Sequence, residues 1–397
     1  MDGQAIFTDL FGVMAVITMV PVFFLWLEKT TKWKVFDVLP AIIWIFLAPI
    51  LLSNLHVLPG VDFSIIPRRT PIYTTFRSFA VPMFIVLMLL DIDIKRTLRV
   101  AWRGAGVLVI GSVGVAVGCV VAYVLFRAEL PDNAWSGFGA LAGSWIGGTG
   151  NLAAVAESLK TPEELIGIVV VVDNLVYLVY FPLIIGCKRW APLFNRFTGV
   201  TQAEIDATYT AGAEVEKKRH EVSFPDILTL IAFAFAAILL ANWLAPFLPE
   251  FRPALTESTW SILLVTTFGI LLSTTKLKHV PGTEPLAMAF VYIYMTMIGA
   301  SADLAGLAGA QWFIVAGFLA ITIHLVVVVL AAKLLRVDVS MAAVSSVAAV
   351  GGAASAPVAA ATHREELVPI SIMLALIGYA LGNYLGVGTA LLANLIG

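Results

Sequence analysis

The sequence predicts an all-α polytopic membrane protein. It reads as two inverted repeats of five transmembrane helices, each repeat carrying a glycine-rich re-entrant hairpin. Three observations predict this. Apolar runs near the ~20 residues that cross a bilayer recur along the whole chain. Two of those runs are interrupted by glycine clusters, Gly147-Gly148-Thr149-Gly150-Asn151 and Gly351-Gly352-Ala353-Ala354-Ser355. Lysine and arginine sort to one side of the membrane only if the two interrupted runs turn back. Composition agrees: 60% of residues are hydrophobic and 13% charged, with a mean hydropathy of +0.96. A soluble domain carries roughly 25% charged residues.

The apolar runs fall at 5–27, 36–55, 71–90, 104–126, 137–158 and 164–186, and then at 224–245, 259–275, 285–307, 311–332, 340–361 and 366–395. The first has no basic flank before it and contains Asp9, so it is expected as a span and not a cleaved signal peptide. Residues 1–186 are read as the first repeat, with its hairpin at 137–158. Residues 187–223 are read as a cytoplasmic linker, and its Ala203-Glu-Ile-Asp and Glu214-Val-Glu-Lys-Lys-Arg-His-Glu stretches as solvated. Residues 224–397 are the second repeat, with its hairpin at 340–361. The halves align in order. Leu90-Asp91-Ile92-Asp93-Ile94 matches Ala300-Ser301-Ala302-Asp303-Leu304, Gly147-Gly148 falls on Gly351-Gly352, Asn151 on Ser355 and Tyr177 on Tyr379.

Cytoplasmic loops are enriched in Lys and Arg. If all twelve runs cross, the basic residues lie the wrong way round. If 137–158 and 340–361 return to the side they came from, eighteen fall on the inner side and five on the outer. The outer five are Arg68, Arg69, Arg127, Lys160 and Arg252. Each half then crosses an odd number of times, so the halves are oppositely oriented. Both termini are placed outside and the linker inside. The first hairpin dips in from outside and the second from the cytoplasm. Such broken tips must be buried in protein or line an aqueous cavity, because lipid cannot satisfy free backbone groups.

The tips are the candidate substrate site. Exposed N–H groups where a helix starts attract anions, and carbonyls freed at a break can ligate a hard cation. Gly147, Gly148 and Gly150 permit close backbone approach, while Thr149 and Asn151 add side-chain donors and acceptors. Gly351, Gly352 and Ser355 take those roles in the second tip, and Pro357 suits a first helical turn. The competing reading is small-residue packing between helices. Asp173-Asn174 lies within an apolar span, where an aspartate costs about 2.5–3.5 kcal/mol on insertion scales. Asn151, Asp173, Asn174 and Asn383 are the candidate coupling-cation residues, with Na⁺ expected at Asp173 and Asn174. Proton carriage and a buried structural role are the alternatives for Asp173. The second half has Ala375 at the aligned place, so ion coordination is expected to be asymmetric.

Arg77 reads as a counter-charge for an anion, a partner for an acid, or a snorkelling side chain. Asp93 and Asp303 read as loop or cap residues, and Asp9 and His324 as satisfied structural groups. Gly114 and Gly118 form a small-xxx-small face. Trp26, Trp33, Trp102, Trp135, Trp190 and Trp312 suit an interfacial belt. The net charge of −2 gives no sign of nucleic-acid binding, and Cys119 and Cys187 form neither a disulfide framework nor a metal pair. No H-E-x-x-H, Walker A or C-x-x-C motif occurs. An enzyme is therefore not expected, nor any cofactor beyond Na⁺ or H⁺ as coupling ion. An Asp173–Asp303 aspartyl pair is argued against by their unlike contexts.

Ile146-Gly-Gly-Thr-Gly-Asn-Leu-Ala-Ala-Val-Ala-Glu-Ser, followed by Asp173-Asn174, resembles the YjcL-like family of bacterial membrane proteins, a domain-of-unknown-function family. The Leu90-Asp-Ile-Asp-Ile-Lys-Arg stretch fits as well. The family's architecture is similar to that of the sodium–glutamate and 2-hydroxycarboxylate symporters. This resemblance implies a homodimer in the bacterial inner membrane that takes up a small carboxylate-bearing solute with Na⁺ by an elevator motion. An anionic or zwitterionic substrate such as an amino acid, dicarboxylate or small peptide-like anion would fit. The second tip departs from a polar pattern at Ala353 and Ala354, which bears on the substrate's charge. The other readings are a cation/proton antiporter using Asp173, and a receptor or scaffold without transport.

Overall fold

The computed structural model describes residues 4–33, 35–38, 41–55, 61, 63–90, 92–213, 221–301 and 310–396. Among these, the first half holds α1 (Leu10–Thr31), α2 (Val35–Val38), α3 (Ala41–Ser53), α4 (Pro71–Leu90), α5 (Ile94–Phe126), α6 (Ala134–Ser158) and α7 (Glu163–Gly186). The linker holds α8 (Ala191–Thr198) and α9 (Gln202–Ala213). The second half holds α10 (Phe224–Leu244), α11 (Glu257–Ser273), α12 (Thr283–Ser301), α13 (Ala310–Leu335), α14 (Val339–Val350), α15 (Gly352–His363) and α16 (Val368–Ile396). Two short strands, β1 (Gln4–Ala5) and β2 (Phe63–Ser64), pair in parallel. Seven of the described helices are long and apolar enough to cross a membrane. The chain is an all-α polytopic membrane protein.

Aspartates start several helices: Asp93 caps α5, in line with its reading as a loop or cap residue, whereas Asp9, expected inside the first span, caps α1 from outside it. Asp9 accepts the Phe11 and Gly12 N–H groups at 3.0 Å each, so it satisfies donors that α1 would otherwise leave orphaned. Asp93 does the same for Arg96 and receives Lys278 at 3.1 Å. Asp303 lies outside the described residues.

Both glycine clusters reverse the chain. Gly148 has φ 75° and ψ −173°, a region open essentially to glycine. A Cβ placed on Gly143 would sit 2.9 Å from Val155, and one on Gly139 would sit 3.0 Å from Leu159. An unbroken helix would hold residues 139 and 159 about 30 Å apart, so the two arms of α6 lie antiparallel. Gly352, with φ 59°, separates α14 from α15. Ser340 Oγ and His363 Nδ1, at the far ends of those helices, are 3.4 Å apart. The run 340–361, continuous in the sequence, is therefore also a folded-back pair.

Contacts between helix ends fall into two sets. Thr259 donates to the Ser158 carbonyl at 3.1 Å and Arg127 to that of Ile396 at 3.1 Å. At the other end, Lys188 donates to the Thr362 carbonyl at 3.2 Å and Arg103 to that of Arg336 at 3.4 Å.

The helices pack in two groups. In the first group α1 packs on α3 and α12, while α10 packs on α11 and α4; α3 meets α12 as α11 meets α4. The second group holds α5, α6, α7 and α13 to α16, with α5 against α13. Gly114 and Gly118 serve that contact, meeting Val327 and the Ala320 backbone. A further stripe at four-residue spacing, Gly378, Gly382 and Gly386, seats α16 on α6.

The described part of the linker is helical, with Ala203 and Asp206 exposed and Ile205 buried. Tyr209 donates to Asp338 at 2.6 Å, and Asn195 accepts the Val339 N–H at 3.0 Å. Arg103 pairs with Glu204 at 2.8 Å, and the Arg364 guanidinium lies 4.9 Å over the Tyr209 ring. These contacts dock α8 and α9 on the base of the α14–α15 pair. Residues 214–220 lie outside the described ones. Of the tryptophans expected at an interface, Trp26, Trp33, Trp102, Trp190 and Trp312 are exposed, but Trp135 is buried. It packs in the core beside the start of α6.

Candidate functional site

The two breaks converge on one side chain. A Cβ on Gly148 would lie 3.5 Å from Cε1 of Tyr379, and one on Gly352 would lie 3.3 Å from the same atom. The Tyr379 hydroxyl accepts the Ala353 N–H at 3.1 Å, so it occupies one of the free donors at the start of α15. Tyr177, aligned with Tyr379 in the sequence, also reaches the second break. Its buried hydroxyl faces Gly351 and Ser355 and closes no hydrogen bond among the described residues.

Glycine is needed here for space as much as for conformation. The Asn151 side chain is wedged between Gly147 and Gly382; a Cβ on Gly147 would strike its amide, and one on Gly382 would lie 2.5 Å from its Nδ2. Gly150 lets the second arm of α6 approach Met88 and Phe84 of α4. Thr149 is half-buried at the tip.

The structure brings Asn151 and Asn383 together. Asn151 Nδ2 donates to the Tyr379 carbonyl at 2.9 Å and to Asn383 Oδ1 at 3.0 Å. Asn383 Nδ2 donates to Thr266 Oγ1 at 2.8 Å, and that hydroxyl donates to the Ile262 carbonyl at 2.7 Å. Each donor has one direction open to it, so the relay is fixed from α6 through α16 to α11. The Asn151 Oδ1 and the carbonyls at the breaks are the oxygen atoms this arrangement can offer a hard cation.

Asp173 and Asn174 stand apart from that relay. The Asp173 carboxylate accepts Ser144 Oγ at 2.7 Å and Trp145 Nε1 at 2.6 Å, both from the first arm of α6. Asn174 donates to the Val170 carbonyl, one turn back on its own helix, at 2.7 Å. Ser144 and Trp145 were not marked as functional from the sequence. The available signal was a tryptophan and a serine beside the glycine cluster, each with a donor that a buried position must satisfy.

His324 is fully buried and satisfied, as expected. Its Nδ1 lies 2.8 Å from the Gly111 carbonyl and its Nε2 2.8 Å from Ser346 Oγ. A carbonyl only accepts, so Nδ1 carries the proton and Ser346 donates to Nε2. Tyr180, 2.7 Å from Ser346 Oγ, must then donate in turn. This chain ties α7, α14, α13 and α5. Arg77 proves to be a partner for an acid: its side chain is 12% exposed and meets Glu163 at 2.6 Å.

A family model described as "Protein of unknown function (DUF819)" matches residues 15–395. The chain belongs to that family. It is 28% identical over 335 residues to the uncharacterized membrane protein YjcL of Bacillus subtilis (strain 168), which covers 82% of this chain and 84% of YjcL. This is the family indicated by the Ile146–Ser158 stretch and Asp173-Asn174. The comparisons carry the membrane location and leave the activity to be argued from the site.

Proposed function

We propose that this member of the family is a secondary active transporter of the bacterial inner membrane, coupling Na⁺ to the uptake of a small carboxylate-bearing solute. The observation that carries this reading is the meeting of two glycine breaks, one from each half, on Tyr379. Broken helices in corresponding positions of two halves are the usual seat of substrate in alternating-access transporters. In this reading the reversed pairs are re-entrant hairpins, the halves are inverted repeats, and the reciprocal packing of α1, α3 and α4 with α10, α11 and α12 supports both. The second helix group would carry the site in an elevator motion, in a homodimer.

The site residues divide by chemistry. Gly147, Gly148, Thr149, Gly150, Gly351, Gly352 and Ser355 offer N–H groups, hydroxyls and close approach to an anion. The Asn151 Oδ1, held in place by Asn383, and the carbonyls at the breaks offer oxygens to Na⁺, and Asp173 offers a carboxylate apart from them. A cation lowers the cost of bringing an anion into low dielectric, so Na⁺ and substrate should each tighten the other. The test is uptake into proteoliposomes with and without a Na⁺ gradient, for wild type and Asp173→Asn. Full Na⁺-dependent uptake by Asp173→Asn would sink the ion assignment.

Cation/proton antiport through Asp173 is the second reading. It is favoured by one observation: Asp173 is held by two neutral donors and has no basic partner among the described residues. It requires pH-driven cation flux with no organic substrate, which a pH jump across the same vesicles measures.

A further inference from the structure

At one end of the molecule α5 begins and α13 finishes. Both are long and apolar enough to cross a membrane. α5 exceeds the ~20 residues that a bilayer requires, and its basic first turns, Lys95 to Arg103, suit the headgroup level beyond the apolar run. Between these turns, the α13–α14 turn and α9 opens a cavity of about 300 Å³. Arg99, Arg103 and Arg336 line it with the carboxylates of Glu204 and Asp338.

Each of these charges has a defined state. Arg103 is paired with Glu204 at 2.8 Å. Asp338 is turned to neutral donors, the Tyr209 hydroxyl at 2.6 Å and the Ser340 N–H at 2.9 Å. Of the neighbouring acids, Asp206 accepts from Gln202 at 2.8 Å and Asp93 from Lys278 at 3.1 Å. Arg99 and Arg336 are exposed, and neither side chain has an ion pair, a hydrogen bond or a stacked ring among the described residues. Three arginines against two carboxylates leave the cavity one net positive charge. The two guanidiniums without partners are the two that solvent, or a ligand, can reach.

The surroundings select the ligand. The volume is at the small end of ligand sites, so it admits a headgroup and not a whole lipid. Leu98 and Trp102 of α5 and Leu334 of α13 are exposed apolar side chains within a turn of the three arginines. They give acyl chains a surface beside the cavity, which a free anion would not use. The planar guanidinium fork matches phosphate oxygens two at a time, and basic pockets between spans at a membrane face suit anionic headgroups.

We propose that this cavity binds the phosphate diester headgroup of an anionic phospholipid, with Arg99 and Arg336 as its anchors. Arg103 stays with Glu204 and keeps the α9 wall in place. The bound headgroup joins the start of α5 to the α13–α14 turn. None of this depends on whether the protein transports a solute.

The experiment follows melting of the purified full chain in maltoside micelles and low-salt buffer as dihexanoyl phosphatidylglycerol is added. Phosphatidylcholine of the same chain length supplies the phosphate without net charge. Inorganic phosphate and glycerol 3-phosphate are the soluble sources. A ligand of the folded state raises its melting point. Phosphatidylglycerol should do so with a saturating dose response. Arg99→Gln and Arg336→Gln should each weaken its apparent affinity about fivefold, the effect of one basic residue at an anionic surface. Both positions are exposed and unpaired, so neither substitution removes a contact of the fold. Lys276→Gln, exposed at the same end but outside the cavity, should leave the affinity unchanged.

Equal stabilisation by phosphatidylcholine overturns the proposal, as does unchanged affinity in the two arginine variants. Equal weakening by Lys276→Gln would reduce the effect to general surface charge and overturns it too. Stabilisation by inorganic phosphate or glycerol 3-phosphate at the same concentrations overturns the lipid assignment.

Discussion

Gly378→Ala tests the contact on which the candidate site depends. Gly378 sits on α16 directly against the first arm of α6, and a Cβ there would collide with the Ile146 carbonyl oxygen. That obstacle is backbone within a helix, so it cannot swing aside as a side-chain end would. The two helices must separate by several tenths of an ångström, which costs about 1–3 kcal/mol, the range for overpacking a filled interior. The control lies ten residues along the same helix. A Cβ on Gly388 meets nothing within 4 Å, so Gly388→Ala gains helix propensity and should stabilise by about 0.5–1 kcal/mol. Equilibrium unfolding of the two variants, followed by circular dichroism in mixed micelles, should show shifts of opposite sign. If Gly378→Ala is as stable as Gly388→Ala, α16 does not rest on α6 as described, and the convergence at Tyr379 fails with it.

Gly148→Ala should cost about 1–3 kcal/mol from backbone strain, since the new methyl meets only an ordinary contact with Tyr379, so unfolding measurements should show the loss without a change in oligomer size. Glu204 accepts the Thr201 N–H and the Arg103 guanidinium, which hold its pKa down to about 2. Its contribution is fully present above the unfolded value near ~4.3 and is lost as pH falls through the folded one. The linker should therefore become pepsin-sensitive as pH drops from about 4 towards 2, and Glu204→Gln should be sensitive already at the upper value; acid-independent protection of wild type would refute this. Met88→Cys with Gly150→Cys bridges the two helix groups, and Gly106→Cys with Leu335→Cys bridges α5 to α13 within one. In a background lacking Cys119 and Cys187, oxidation should stop vesicle uptake only for the first pair, and full transport by that cross-linked protein would rule out relative motion of the groups.

The apolar runs and glycine breaks were legible because both are local: a span declares itself by length, and Gly147 to Gly150 by the poor helix propensity of adjacent glycines. Partners across the fold were not legible. Asp173 stood out as costly, but nothing local tied it to Ser144 and Trp145, twenty-eight or twenty-nine residues away. Gly378, Gly382 and Gly386 were hidden inside a long apolar run, where the four-residue spacing was a usable signal for a close helix contact. The linker misled for the opposite reason. Asn195 and Tyr209 are polar enough for water, yet each finds a partner at the base of the second reversed pair, and Glu204 finds Arg103 of α5.

The polar contacts are unevenly distributed between the helix groups, and this bears on which of them can move. Within the second group the bonds are buried and directional: Asn151 to Asn383, and Tyr180 through Ser346 to His324. Between the groups they are mostly single hydroxyl bonds, Asn383 to Thr266, Thr267 to Tyr384 and Thr259 to the Ser158 carbonyl. Neutral bonds of this kind contribute about 0.5–1.5 kcal/mol each, and bonds to charged groups about 1.5–3 kcal/mol. The strongest described polar link across the boundary is then Arg77 of α4 with Glu163 of α7. Lys278 with Asp93 and Arg69 with Glu164 are further charged links across the same boundary, so any movement of the second group must break all three.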